Sequence, residues 1–184
     1  MRRWVGALLL LLAACSSAAR AIAIPNDEIP FSLSRVSASP SPAGATKPFV
    51  LEFVVHGRLV NVTRQLDFAQ PAESVLVALL DGPTAREGAR GITTEIPATA
   101  RLLTVSVSNG VATVNLSREF QAAGSSQSVL LRVAQVVWTL TSIKGISLVW
   151  FQIDGEFVGV PTDSGVVSDR SVGASDYASV RPRS

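Results

Sequence analysis

Cysteine, histidine, methionine and tyrosine each occur once in this 184-residue chain. A lone thiol, Cys15, excludes an internal disulfide and a thiolate metal site. The lone imidazole, His56, excludes a zinc site built on several His or Cys ligands. No Gly-x-Ser-x-Gly elbow is present, and no Ser or Cys stands in a recognisable nucleophile–base pattern. Basic residues are scattered singly, so the clustered Lys/Arg patch of a nucleic-acid binder is missing. Long apolar runs are also missing. The longest, Trp4–Ala14, stops well short of the ~20 residues needed to span a bilayer.

That short run sits in a legible setting. Arg2 and Arg3 precede it and Leu12-Ala13-Ala14-Cys15 ends it, which is the arrangement of a secretory signal. The end of the run resembles a bacterial lipobox, in which the thiol takes a diacylglycerol and cleavage leaves Cys15 as the first residue. Each buried methylene of the lipid adds ~0.8 kcal/mol of membrane affinity. This places the protein on the extracytoplasmic face of the cell membrane, tethered through Cys15. The competing reading uses the A-x-A sites Ala19-Arg20-Ala21 and Ala21-Ile22-Ala23, which would release a soluble secreted chain. Arg2 and Arg3 leave with residues 1–14, so 16 basic residues fall to 14 and match the 14 acidic ones. The mature chain is formally neutral, and a nucleic-acid partner is not expected.

The remaining residues divide by composition. Residues 15–48 hold an N-terminal segment and a Ser/Pro/Ala linker, "SASPSPAGATKP", without apolar periodicity. A domain is expected over 49–160, and residues 161–184, poor in long apolar side chains, read as a tail.

Within the domain, Phe49–Val55 and Arg58–Arg64 flank His56-Gly57 as a hairpin. Pro71 opens a helix, with Glu73 in its first turn and Val75, Leu76, Leu79 and Leu80 on one face, and Gly82-Pro83 stops it. A loop follows. Leu102–Ser108 and the alternating Ala112, Val114 and Leu116 flank Asn109-Gly110, the strongest short hairpin signal in the chain. Ser125 or Ser126 caps a second helix whose core stripe is Val129, Leu130, Val133, Val136, Val137 and Leu140. Ile146–Ile153 is the last strand. The order is β-β-α-β-β-α-β, an α+β fold with a small mixed or antiparallel sheet and two helices on one face.

Several stretches in this order resemble one family. They are Leu79-Leu80-Asp81-Gly82-Pro83-Thr84, Gly91–Pro97, Val114–Phe120, Ala134–Leu140 and the strand ending in Asp154-Gly155. Together they are similar to the GerMN domain of spore-germination GerM and LpqB-type actinobacterial lipoproteins. The resemblance covers about 49–160 and implies a non-catalytic envelope module akin to the ring-building motifs of secretion machines. It departs in carrying one GerMN copy, where GerM carries two, and no large C-terminal sensor or propeller domain is expected.

Site candidates are therefore surfaces. No catalytic residue, cofactor or metal is expected; His56 reads as an exposed turn residue, and Glu95, Asp154 and Glu156 as solvated carboxylates. Asn61 and Asn115 sit in glycosylation-like triplets inside expected strands, which reads as chance. On the second helix, Leu131, Ala134 and Trp138 share a flank that either meets the first helix or forms a partner face. On the last strand, Leu148 and Trp150 point away from the helices, with Val50 and Val54 of the first strand as expected companions. Either residues 22–36 cover this face or it binds a partner. The preferred function is a membrane-tethered protein that docks an envelope protein complex in sporulation, germination or signalling. The alternative is a small-ligand or glycan-binding sensory module with a pocket beneath the 83–100 loop. A homo-oligomer is compatible with either.

Overall fold

Three X-Gly pairs fold the strands of this protein back on themselves. At His56-Gly57, Asn109-Gly110 and Asp154-Gly155 both residues have positive φ (48° and 72°, 51° and 80°, 48° and 91°). This backbone matches the twist of an antiparallel pair, and Gly reaches it without a Cβ clash. A computed structural model describes residues 45–181. The first turn joins β1 (Thr46–Val55) to β2 (Arg58–Asp67), with Thr46 opposite Asp67 and Val55 opposite Arg58. The hairpin thus begins inside the segment expected as linker.

Helix α1 (Pro71–Leu80) carries Pro at its start and buries Ala72, Val75, Leu76, Ala78 and Leu79. A one-turn helix α2 (Ala85–Gly88) then forms inside the expected loop, because Thr84 and Glu87 make a reciprocal capping box. Strands β3 (Leu102–Ser108) and β4 (Val111–Leu116) follow, and a short 3₁₀ turn places Phe120 against Phe151 at 6.1 Å. Helix α3 (Ser126–Thr141) is capped by Ser125, whose hydroxyl accepts from the Ser128 N–H at 3.1 Å. It leads to β5 (Leu148–Ile153), parallel to β4, and then to β6 (Glu156–Phe157).

These six strands form two sheets, since β3-β4-β5-β6 is one and the β1-β2 hairpin is another. Both helices touch both sheets: α1 packs on β3 and the hairpin, and α3 on β5 and the hairpin. The free edge of β1 explains the separation. Its Glu52 N–H donates to Thr139 Oγ1 at 2.9 Å, and its Glu52 carbonyl accepts from Gln135 Nε2 at 3.0 Å. Val54 exchanges two backbone bonds with Thr93, both at 2.8 Å. Helix side chains and a loop therefore satisfy groups that another strand would otherwise pair. Enclosed in this way, α3 buries every residue from Leu131 to Val137, beyond the single stripe that its periodicity predicts.

The expected tail is part of the fold. Strands β7 (Val160–Pro161) and β8 (Val167–Ser168) pair, Val172 exchanges backbone bonds with Val149 at 2.8 and 2.9 Å, and a 3₁₀ segment spans Ala174–Val180. Val160, Val172, Tyr177 and Val180 are all core residues, with Tyr177 fully buried. Asp163 fixes the segment by accepting from the Ser179 N–H at 2.6 Å and from its hydroxyl. The apolar residues are sparse here, yet Val160, Val172, Tyr177 and Val180 reach the core, while Val166 and Val167 stay exposed.

Candidate functional site

Alternation along β5 sends Val149, Phe151 and Ile153 into the core and leaves Leu148, Trp150 and Gln152 on the outer sheet face. Register places Trp150 opposite Thr113 and Leu148 opposite Val111. The Asp154-Gly155 turn brings β6 back so that Phe157 rests on Trp150, ring centroids 4.2 Å apart and tilted by 33°. Phe157 is 54% exposed, and the Trp150 Nε1–H is buried without an acceptor among the described residues. Such an orphaned donor costs free energy where it stands. Around this pair the outer face is polar, with Thr113, Asn115 and Gln152 on the same rows.

The other expected surface residues lie elsewhere. Leu131 is 2% exposed and Ala134 is fully buried, so neither belongs to a partner face. Between Leu131 and Val137, α3 is enclosed by α1, the hairpin, β5 and the folded C-terminal segment. Trp138 is half-buried, and its Nε1–H donates to the Tyr177 carbonyl at 3.3 Å. Val50 and Val54 belong to the separate hairpin and not to the outer sheet face, and Val54 is buried. Cys15 and residues 22–36 lie outside the described residues.

A second feature was not singled out in the sequence. An open cleft of about 670 Å³ lies between the hairpin, the C-terminal half of α3 and the last segment; Val50, Glu52, Asn61, Trp138, Ser142 and Arg181 are among its lining residues. Strand alternation puts Val50, Glu52 and Val54 on one face of β1, with Asn61 directly across from Glu52. Glu52 is 2% exposed, and burial pushes its carboxyl up to about 7. With the Asn61 carboxamide nitrogen turned toward it, the two carboxyl oxygens lie 3.1 and 3.2 Å from that nitrogen. The ion pairs among the described residues, Arg64–Glu87 and Arg118–Asp154, leave Glu52 out. A Glu inside an apolar β-run, "FVLEFVV", was the available signal.

The 83–100 segment roofs no such cleft. Its middle is stitched to α3: Gln135 Oε1 accepts from the Glu95 N–H at 2.9 Å, and Arg132 donates to the Glu95 carbonyl at 2.9 Å. Arg132 also donates to the Phe120 and Ala122 carbonyls at 2.7 and 2.8 Å, and burial lowers its guanidinium's proton affinity. A depression of about 360 Å³ beside residues 98–102 is lined by Val77, Leu80 and Asp81 and by no aromatic ring.

His56 stands exposed at a hairpin tip, and no cluster of three or more His, Cys, Asp or Glu side chains able to hold a metal occurs among the described residues. Asp154 pairs with Arg118 at 2.9 Å, and Glu95 takes the Ser128 hydroxyl. Asn61 and Asn115 lie in β2 and β4. No helix among the described residues is long and apolar enough to cross a membrane.

Comparison with known proteins gives this geometry its context. Lipoprotein LpqB from Thermobifida fusca is 35% identical over 124 residues, which is 67% of this chain and 18% of LpqB. This chain thus spans less than a fifth of that relative's length. The first GerMN domain of the sporulation protein GerM from Bacillus subtilis shares the fold, with a TM-score of 0.58 at 21% identity over 71% of this chain and 100% of that one. The tandem GerMN domains of the same protein give 0.58 at 18% identity, over 70% and 46% of the respective chains. Residues 40–159 match the Germane family model, described as sporulation and spore germination. That match runs over more than half of the sequence, and the chain belongs to the Germane family.

Proposed function

We propose that this protein is a non-catalytic, lipid-anchored envelope component whose Germane domain docks another protein through its outer sheet face. The tether is the diacylglycerol on Cys15, and the extracytoplasmic location follows from the signal-like residues 1–14. The observation that carries the docking reading is the Trp150–Phe157 pair, in which the exposed Phe157 ring rests on the half-buried Trp150 on an otherwise polar sheet face. Aromatic anchors of this type dominate interface energies. Support for the setting comes from the name of the relative, a lipoprotein, and from the sporulation description of the family.

The test combines two variants in the native host. Cys15→Ala should move the protein from the membrane fraction to the soluble or secreted one. Trp150→Ala combined with Phe157→Ser should keep the fold and lose the crosslinked partners seen with the parent chain. An unchanged partner set on a folded double variant would overturn the docking face.

A second reading rests on the Glu52 cleft, which is concave, contains Trp138 and polar groups, and has the size of a small-ligand site. Under that reading the tethered domain senses a soluble small molecule.

A further inference from the structure

The Glu52 cleft deepens the second reading, because its walls restrict what can enter. Glu52 is held by its backbone: Thr139 accepts its N–H and Gln135 donates to its carbonyl, one helical turn apart on α3. Trp138, beside Thr139, faces the same cleft and is pinned by its own bond to the Tyr177 carbonyl. Carboxyl and indole therefore stand on two elements stapled to each other, as a specific site requires.

The charges are unbalanced locally. A carboxylate taken out of water needs a cation or several hydrogen bonds. Glu52 has the Asn61 amide beside it and no ion-pair partner among the described residues. Its raised proton affinity is the expected consequence of that isolation. Arg181 lines the same cleft and forms no ion pair among the described residues, Glu52 included. One cleft thus offers a carboxyl and a guanidinium that do not neutralise each other, with Val50 and the Trp138 ring as apolar wall. A simple cation would meet the field of Arg181, and a simple anion that of Glu52. A molecule carrying both charges at separate ends meets neither penalty.

We propose that this cleft binds an amino-acid-type zwitterion, its ammonium on the Glu52 carboxylate, its carboxylate on the Arg181 guanidinium and its apolar body against Val50 and Trp138. The volume of about 670 Å³ leaves room for a free amino acid or a short peptide with its side chains. This inference rests on the ligand-binding reading and is independent of the outer sheet face.

The experiment is an NMR titration of the full-length protein in detergent micelles, following the Trp138 indole N–H identified with Trp138→Phe. L-leucine is the probe; N-acetyl-L-leucine removes the ammonium, and L-leucinamide removes the carboxylate. L-leucine should shift the signal saturably in the millimolar range or tighter. Acetylation and Glu52→Gln should each weaken binding at least tenfold, and amidation and Arg181→Gln at least threefold. Glu52→Gln should leave the dispersion of the spectrum intact. Two results would overturn the proposal: no saturable shift with L-leucine, or equal affinity for the acetylated probe. A saturable shift with neutral N-acetylglucosamine but not with L-leucine overturns it while leaving the ligand-binding reading standing.

Discussion

Gln135 ties the β1 edge of the hairpin to the loop ahead of β3 through its carboxamide: Nε2 donates to the Glu52 carbonyl at 3.0 Å, and Oε1 accepts from the Glu95 N–H at 2.9 Å. The side chain is fully buried. Replacing it with Leu keeps most of the volume but orphans one buried carbonyl and one part-buried N–H. Each orphan costs ~1–3 kcal/mol, so Gln135→Leu should lower the unfolding free energy by about 3 kcal/mol. Urea denaturation measures it, with the midpoint falling and the slope unchanged. A loss below 1 kcal/mol would mean that water replaces the amide.

Glu52 makes stability depend on pH in a direction opposite to most carboxylates. Its folded value is raised to about 7 from an ordinary 4.5. Between those values the native state holds more protons than the unfolded chain, so the unfolding free energy falls as pH rises. The group exerts no penalty below about pH 4.5 and its full one above about pH 7, at most ~3 kcal/mol for such a shift. Glu52→Gln, which stays neutral, should therefore be the more stable protein at pH 8 and nearly equal to the parent at pH 4.5. Thermal melts at the two pH values decide this; a constant difference between the proteins would remove Glu52 as its source.

Tyr177 separates packing from hydrogen bonding in the C-terminal segment. Its ring is fully buried, and its hydroxyl has no partner among the described residues. Burial, with Asp176 and Asp163 nearby, raises its proton affinity further, so the phenol stays neutral. Tyr177→Phe removes an unsatisfied polar atom and should be neutral or stabilising by up to ~1 kcal/mol. Tyr177→Ala empties the site and should cost ~3–5 kcal/mol. A destabilising Tyr177→Phe would reveal a partner for the hydroxyl.

Tyr177 also marks where sequence reading stops working. The X-Gly turns, the Pro71 start, the Ser125 cap and the alternation on β4 and β5 are local signals, and local conformation obeys them. The segment after Pro161 has no periodicity; Val172 and Tyr177 are core residues through contacts with β5 and α3, which no short window contains. The same holds for Leu131 and Ala134. Periodicity placed them on a flank, but its burial depends on α1, the separate hairpin and the returning chain together. Leu148 and Trp150 were legible as outer-face residues because alternation is a two-residue rule. Phe157 was not, since its place on Trp150 depends on a turn and a two-residue strand. Glu52 stood in plain view among apolar neighbours, but its partner Asn61 is defined by hairpin register and its wall Trp138 by tertiary packing.

Arg64 closes the C-terminal end of α1 from the neighbouring strand. Its guanidinium donates to the Ala78 and Gly82 carbonyls, both at 3.0 Å, and to Glu87 Oε2 at 2.6 Å. The pair is largely shielded, with side chains 17% and 15% exposed, and the same Glu87 oxygen accepts the Thr84 N–H at 2.7 Å. One guanidinium thus holds the end of α1, the Gly82-Pro83 stop and the capping box of α2 together. A helix C-terminus carries partial negative charge and unpaired carbonyls, so a planar cation with several donors is favoured there. Arg64→Met removes the guanidinium, whose central carbon lies 5.1 Å from the Phe53 ring centre, and leaves the carbonyls and Glu87 unmatched, which should cost ~2–4 kcal/mol. Arg64→Lys preserves the charge but cannot reach three acceptors in a plane, so it should recover less than half of that loss. Adding Glu87→Gln to Arg64→Met removes the stranded charge and should cost less than the sum of the two single changes, as a double-mutant cycle would measure. Full recovery by Lys would reduce Arg64 to a point charge and take away its role as the clasp between α1 and α2.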